Sequence, residues 1–208
     1  MSFIKYLYDE INEVRTDPSN YADKVIKCAS YFDGKIMKVP GTNFGIETEE
    51  GVAAFKECEE YLRNFDDALD DVKPSKGLTK VANDFLNKII KLDPSEFKSV
   101  KISEIIAKYG TFFGKVIRLI EMGGITPDQV IIDLLVGDGD KTRHQRNALL
   151  NPDFKRVGIA FGNHPTYGEC SVIVLCEMFE NIVDKDDSED YEGPESGPEY
   201  IPPGGYDL

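Results

Sequence analysis

The order in which apolar patterns follow one another is the feature that most constrains the fold of this chain. Helical spacing comes first, since Phe3, Leu7, Ile11 and Val14 fall on one face of a helix predicted over 3–16. Alternating apolar residues, which are typical of strands, come later. Helices followed by strands interleaved with helices predict an α+β protein, with helices packed on a mostly antiparallel sheet.

Six further helices are predicted from apolar residues at helical spacing and from cap signals. Asp17 and Pro18 end the first helix and begin the second, as N-cap and first helical residue. Thr48 is predicted to cap the third helix. The predicted ranges are 18–32, 48–65, 78–91, 102–109, 126–136 and 143–150 for helices, and 115–122, 155–161 and 169–178 for strands.

The net charge of −14 disfavours several classes of partner. Nucleic-acid binding draws on clustered Lys and Arg, and an acidic chain is also disfavoured at anionic membranes. No apolar stretch approaches the roughly 20 residues of a membrane span, and the early acidic residues do not resemble a secretory signal. We therefore expect no nucleic-acid partner and no membrane span.

The negative charge is concentrated at the C-terminal end, which divides the chain in two. Residues 184–208 carry nine acids against one lysine, a charge of −8, and leave −6 for a domain over residues 1–183. Few apolar side chains and several Pro and Gly make 184–208 a tail that is disordered or bound to a partner. Its expected partner-binding anchors are the apolar and aromatic residues: Tyr191, Tyr200, Ile201, Pro202, Pro203 and Tyr206.

The four cysteines form no Cys-x-x-Cys pair. Cys170 and Cys176 lie in one predicted strand, too far apart to bridge at about 3.3 Å per residue. Free thiols favour a reducing compartment, and we expect the cytoplasm.

Three local motifs are better explained by structure than by chemistry. Residues 110–115 are similar to a phosphate-binding loop but one residue short, and Val116 stands where a magnesium ligand is needed, so a glycine-rich connection into a strand is predicted. Residues 138–140 lack the further ligands of a calcium loop and are predicted to form a turn. His144 is expected to be solvated at a helix start and His164 to serve a turn, which predicts no catalytic histidine.

Several short segments, in a set order, carry a family resemblance. They include Arg-Thr-Asp-Pro at 15–18 and the densest match, Asn-Pro-Asp-Phe-Lys-Arg-Val-Gly-Ile-Ala at 151–160; the others are 11–14, 31–35, 48–51, 75–78, 138–139, 162–164 and 167–168. Spread over about residues 4–180, they resemble the CAP superfamily of cysteine-rich secretory proteins, antigen 5 and plant pathogenesis-related proteins. Within it, the chain is similar to the branch common in single-celled eukaryotes.

This resemblance implies an α–β–α sandwich. Many CAP proteins can hold a divalent metal in a cleft with two His and two acidic residues, and the resemblance implies that this tetrad is altered here. Counting back from 151–152 places Gln145 at a His position, and counting back from 138–139 places Arg118 at a Glu position. The chain has no His near 94, where the family's earlier His is expected.

The altered tetrad predicts lost metal chemistry. Gln145 is a poor substitute for a His ligand, and Arg118 adds a fixed positive charge that repels a cation. Arg118 is expected to pair with a nearby acid, for which Glu104 is the candidate. We therefore predict no catalytic residue, no metal ligand and no cofactor.

Two hypotheses about function follow. The first is a non-enzymatic, CAP-like interaction or structural module inside the cell, which binds a protein partner through its tail; by family association, a cytoskeletal or ciliary assembly is a plausible host. The alternative is a secreted CAP protein that binds lipid or a divalent metal in its cleft, or acts as a hydrolase.

Overall fold

A computed structural model describes residues 2–38, 45–66 and 68–182. Within these ranges the helices, numbered in chain order, are α1 (Phe3–Thr16), α2 (Pro18–Lys27), α3 (Val52–Arg63), α4 (Lys76–Ile89), α5 (Ile102–Ile106), α6 (Pro127–Val136) and α7 (His144–Leu149). Two 3₁₀ helices, Cys28–Tyr31 and Pro94–Ser99, follow α2 and α4. Asp17 caps α2 and Pro18 is its first residue, as predicted.

The strands form two sheets. They are β1 (Phe32–Asp33), β2 (Ile36–Lys38), β3 (Gly45–Glu47), β4 (Lys73–Pro74), β5 (Gly110–Met122), β6 (Arg156–His164) and β7 (Gly168–Asn181). The small sheet has the order β1-β2-β3, and the main sheet has the order β4-β6-β7-β5. All pairs in the main sheet are antiparallel except β4 with β6. The predicted α+β class with a mostly antiparallel sheet is confirmed.

Helices cover both faces of the main sheet. Along β7, Ile173 and Leu175 join a core with α1, α2, α3 and α6, whereas Val172 and Val174 join a second core with α4 and α5. Because successive side chains of a strand point to opposite faces, an apolar run such as 172–176 is the expected signature of a strand buried on both sides. The result is an α–β–α arrangement, in agreement with the layers that the resemblance implies.

Helix α4 lies unusually close to strand β6. A Cβ at Gly158 would overlap backbone atoms of Leu78 and Thr79. Only glycine allows this approach, which seats α4 directly on the sheet. The position of α4 is therefore set by one residue of the neighbouring strand.

Several predicted boundaries are wrong, among them the end of α2, predicted at 32 and found at Lys27. Helix α3 begins at Val52 rather than after Thr48, whose Oγ1 instead donates to the Lys35 carbonyl at 2.7 Å. Strand β5 begins at Gly110, so residues 110–115 belong to the strand, and a register shift between Phe113 and Val116 accommodates Gly114 at φ 74°. Helix α5 ends at Ile106, before the predicted 109.

Candidate functional site

A groove lies in the layer formed by α4 and α5, between the C-terminal half of α4, the end of the second 3₁₀ helix and α5. Its volume is about 480 Å³. Four lysines line it together with a single acid, Glu104; they are Lys88, Lys91, Lys101 and Lys108. We call this feature the lysine groove.

The turn after α4 shapes the lysine groove. Phe85 and Ile89 face the core, and helical geometry leaves Lys88 exposed on the other side. Asp93 then begins the second 3₁₀ helix with a capping box that includes Glu96. Phe97 is buried in the same core as α5, and this contact brings α5 back alongside α4.

His164 holds this turn in place. Its Nδ1 accepts hydrogen bonds from the backbone N–H groups of Thr166 and Tyr167. The proton is therefore on Nε2, which donates to the Leu92 carbonyl at 3.0 Å. His164 is buried, so the predicted turn role is confirmed and extended to a bond across 72 residues.

The lysine groove is a local excess of positive charge on an acidic chain. Lys101 Nζ lies 3.7 Å from Glu104 Oε1, and Lys108 Nζ lies 3.4 Å from Asp84 Oδ2. Among the described residues, Lys88 and Lys91 have no carboxylate within ion-pair distance. The two unpaired ammonium groups make this end of the groove attractive to an anion.

The inner wall of the groove is apolar. Ile105 is buried, and Leu92 and Val100 are partly buried beside it. A site with lysines at the rim and aliphatic carbon below suits a ligand that carries both acidic and apolar groups. An acidic peptide with aromatic or aliphatic side chains has this composition.

The two residues that the resemblance places at tetrad positions, Arg118 and Gln145, lie in different layers of the fold. Arg118 is on β5 opposite Val174, facing the α4 core, with its guanidinium 4.9 Å from the Phe85 ring centre. Gln145 is on α7, which packs against α6 on the other side of the sheet. The expected Arg118–Glu104 pair is not what the structure shows, because Glu104 pairs with Lys101 and Arg118 stacks on Phe85.

On either side of Gln145 in the sequence, Arg143 and Arg146 form ion pairs that have a structural role. Arg143 forms a bidentate ion pair with Glu50, with N···O distances of 2.6 and 2.8 Å. Arg146 forms a bidentate ion pair with Glu57, in which both N···O distances are 2.7 Å. The Arg146 guanidinium lowers the pKa of Glu57. These bonds attach α7 and the residue before it to α3 and the turn that precedes α3.

His144, exposed at the start of α7 as expected, contacts the Asp140 carboxylate through Nδ1. Asp140 also accepts hydrogen bonds from the backbone N–H groups of His144 and Thr142. These bonds hold its pKa well below the usual range, the Thr142 hydroxyl having the largest effect. Asp140 therefore orders the start of α7, and the predicted turn at 138–140 is confirmed.

The described cysteines lack the environment of a nucleophile. All four are free. Burial raises the pKa of Cys28 and of Cys170 to about 12 and that of Cys58 to about 11. A reactive thiol needs the opposite shift.

The described part of the chain shows neither a metal-binding cluster nor a membrane-spanning helix. Residues 2–38, 45–66 and 68–182 contain no group of three or more His, Cys, Asp or Glu side chains suited to a metal. In the same ranges, no helix is long and apolar enough to span a bilayer.

The predicted tail lies beyond the described residues. Its anchors Tyr191, Tyr200, Ile201, Pro202, Pro203 and Tyr206 fall in 183–208, outside the described ranges. The chain leaves the sheet at Ile182, whose backbone N–H donates to the Tyr109 carbonyl at 2.9 Å. Tyr109 directly follows Lys108, so the last described residue lies close to one lining residue of the lysine groove.

The lysine groove was not predicted from the sequence. Residues 73–108 contain eight Lys, no Arg and four acids, a local charge of +4 within a chain of −14. A window of that length would have shown the basic segment, whereas the total charge concealed it. That the lysines share one groove depends on the turn at 93–99, which local patterns do not determine.

Comparison with known proteins gave a distant likeness. No family model and no curated protein sequence matches the chain. The structure is similar to an outer surface protein from Borrelia burgdorferi, at 18% sequence identity and a TM-score of 0.42, over 52% of this chain and 79% of that one. A likeness this weak carries no argument about function.

Proposed function

We propose that the chain is a non-enzymatic protein-interaction module that binds an acidic segment of a partner protein in the lysine groove. The observation that carries the proposal is the groove itself, in which four lysines and one glutamate surround an apolar wall on a chain of net charge −14. Such a local reversal of charge attracts acidic ligands and orients them at the groove.

The family resemblance supports a binding role rather than metal chemistry. In this proposal the chain is a CAP-like domain whose tetrad positions, Arg118 and Gln145, no longer serve a metal. Arg118 is stacked on Phe85, and a fixed positive charge there opposes cation binding. The host is proposed to be a cytoplasmic assembly, of the cytoskeletal or ciliary kind that family association suggests.

The proposal is tested by binding of a fluorescein-labelled synthetic peptide with the repeat Glu-Glu-Tyr-Pro to the full chain, followed by fluorescence anisotropy. The double variant Lys88→Glu/Lys91→Glu should weaken binding by about tenfold or more, since two attractive charges become repulsive. The matched control is Lys27→Glu/Lys56→Glu, two exposed lysines on α2 and α3 across the sheet. The control should change the affinity less than about twofold.

Two outcomes would contradict the proposal. One is the absence of saturable peptide binding, and the other is an equal loss of affinity in the groove and control variants. A catalytic or metal-binding role would instead be indicated by saturable zinc binding in calorimetry that His144→Ala abolishes, because His144 and Asp140 are the one His–carboxylate contact among the described residues.

A further inference from the structure

We propose that the chain's own acidic tail, residues 184–208, occupies the lysine groove in cis and competes there with the acidic partner. This inference deepens the proposed function and rests on it for the competing partner. Three independent features of the molecule support it: where the tail begins, what charge it carries and which side chains accompany that charge.

The last described residue before the tail lies close to one lining residue of the groove. Strand β7 is held to its last residue, because Asn181 Oδ1 accepts hydrogen bonds from the Gly77 N–H at 2.8 Å and the Ser75 hydroxyl at 3.1 Å. The next residue, Ile182, is bonded to Tyr109, one position from Lys108. An extended chain advances about 3.3 Å per residue, so the ten residues that follow Ile182 can reach up to about 33 Å from it.

The charges of tail and groove are complementary. Six acids fall within 184–192, the part of the tail nearest to the exit point. Lys88 and Lys91 are exposed and have no carboxylate partner among the described residues. Because the tail is tethered, its effective concentration at the groove is high even when each charge contact is weak.

The apolar side chains also match. The tail places Tyr191, Tyr200 and Ile201 among its acids, and the groove offers Leu92, Val100 and Ile105. The acidic and apolar side chains of the tail therefore match the lysines and the aliphatic side chains of the groove. The residues predicted from sequence as anchors for a partner thus have a binding surface on their own chain.

The first test is zero-length carbodiimide cross-linking of the dilute full chain, read by mass spectrometry. Tail carboxylates should couple to Lys88, Lys91, Lys101 or Lys108 at least about fivefold more often than to Lys27 or Lys56. Even use of all exposed lysines would overturn the inference. An equimolar mixture of labelled and unlabelled chains distinguishes links within one chain, which carry a single isotope, from links between copies. A fraction of mixed-isotope links equal to that of random pairing would assign the tail to the groove of a second copy, which also overturns docking in cis.

The second test measures affinity for the Glu-Glu-Tyr-Pro peptide after removal of tail charge. Glu189→Gln/Glu192→Gln/Glu195→Gln should bind the peptide about three- to tenfold more tightly than the unchanged chain. Glu47→Gln/Glu60→Gln/Asp66→Asn removes the same charge from exposed positions of the folded domain and should change the affinity little. In the Lys88→Glu/Lys91→Glu background, the tail changes should have no effect.

The two proposals fail in distinguishable ways. Cross-links at the groove without peptide binding by any variant would overturn the proposed function and leave docking in cis intact. Peptide binding that is unaffected by the tail changes, with cross-links spread over the surface, would overturn docking in cis and leave the proposed function intact.

Discussion

Among single residues, Arg15 joins parts of the chain that are remote in sequence. Its side chain is completely buried, and its guanidinium donates to four backbone carbonyls, those of Asp70, Leu149, Asn151 and Phe154. These bonds connect α1 to the segments before β4 and β6. The planar guanidinium reaches all four acceptors at once, a geometry that an ammonium group does not provide.

Replacement of Arg15 by lysine should therefore be costly although it keeps the charge. We expect Arg15→Lys to lower the free energy of unfolding by about 2–4 kcal/mol, because several buried carbonyls lose their donors. Urea unfolding followed by circular dichroism measures this loss. Arg63→Lys is the matched control, since Arg63 is exposed and pairs at the surface with Asp23 and Glu59, and it should cost less than about 1 kcal/mol. Equal costs would contradict the role assigned to Arg15.

A second residue of note, Glu121, is a buried carboxyl with an unusual titration. Burial raises the pKa of Glu121 to about 8, with a further contribution from the charge of Asp133, whose own pKa burial raises to about 7. The Glu121 Oε2 atom has no hydrogen-bond partner among the described residues, and neither has the Ser171 hydroxyl directly opposite on β7. The protonated carboxyl is the form that this environment favours.

The raised pKa of Glu121 predicts how stability depends on pH. The folded chain keeps a proton that the unfolded chain releases near pH 4.5, so stability should fall as the pH rises from about 4.5 to about 8. The loss from one such group is at most about 1.4 kcal/mol per pH unit. Glu121→Gln should reduce the decline between pH 6 and pH 8, measured by urea unfolding at each pH. Glu180 is an exposed carboxyl on β7, so Glu180→Gln should leave the decline in stability between pH 6 and pH 8 unchanged. If stability fell equally steeply with pH in both variants, Glu121 would not be the group responsible.

At the level of elements, the seating of α4 on β6 governs the lysine groove. Gly158 permits the contact, and the same helix leads through Lys88 into the turn that carries Lys91. A substitution that lifts α4 from the sheet would therefore disturb both stability and the groove.

Gly158→Ala should lower the free energy of unfolding by about 3 kcal/mol, because the added methyl group meets backbone that cannot yield without moving the helix. Gly162→Ala on the same strand is the comparison. Its Cβ would lie 3.1 Å from the end of the flexible Leu86 side chain, and the cost should stay below about 1 kcal/mol. Thermal unfolding of both variants checks the difference. A Gly158→Ala chain as stable as the Gly162→Ala chain would show that α4 adapts.

The predictability of elements followed the strength of their local patterns. The periodic apolar face of α1 and the apolar runs of β6 and β7 were enough to predict them. The two-residue strand β4 was missed because its pairing with β6 leaves no periodic signal, and the glycines at 110 and 114 concealed the first half of β5. Arg118 and Gln145 were assigned to tetrad positions by counting along the sequence from the resemblance, and only the fold shows that they lie in different layers.

For the whole molecule, the uneven charge predicts an unusual response to salt. If the tail docks on the groove, added salt screens the attraction and releases the tail, so the radius of gyration should rise between low and moderate ionic strength. A free acidic tail would contract instead, because salt screens its self-repulsion. Small-angle X-ray scattering measures whether the radius of gyration rises or falls as salt is added. Lys88→Glu/Lys91→Glu should be expanded already at low salt, whereas Lys27→Glu/Lys56→Glu should behave like the unchanged chain.

The bond between Ile182 and Tyr109 has a consequence for how the chain would respond to its partner. If the tail docks in the groove of its own chain, its occupancy would not change when the protein is diluted, whereas that of a separate partner would. The apparent dissociation constant of the partner would then be raised by a fixed factor, the inverse of the fraction of chains whose groove is open. Charge-altering modification of the tail would change that factor without any change to the folded domain.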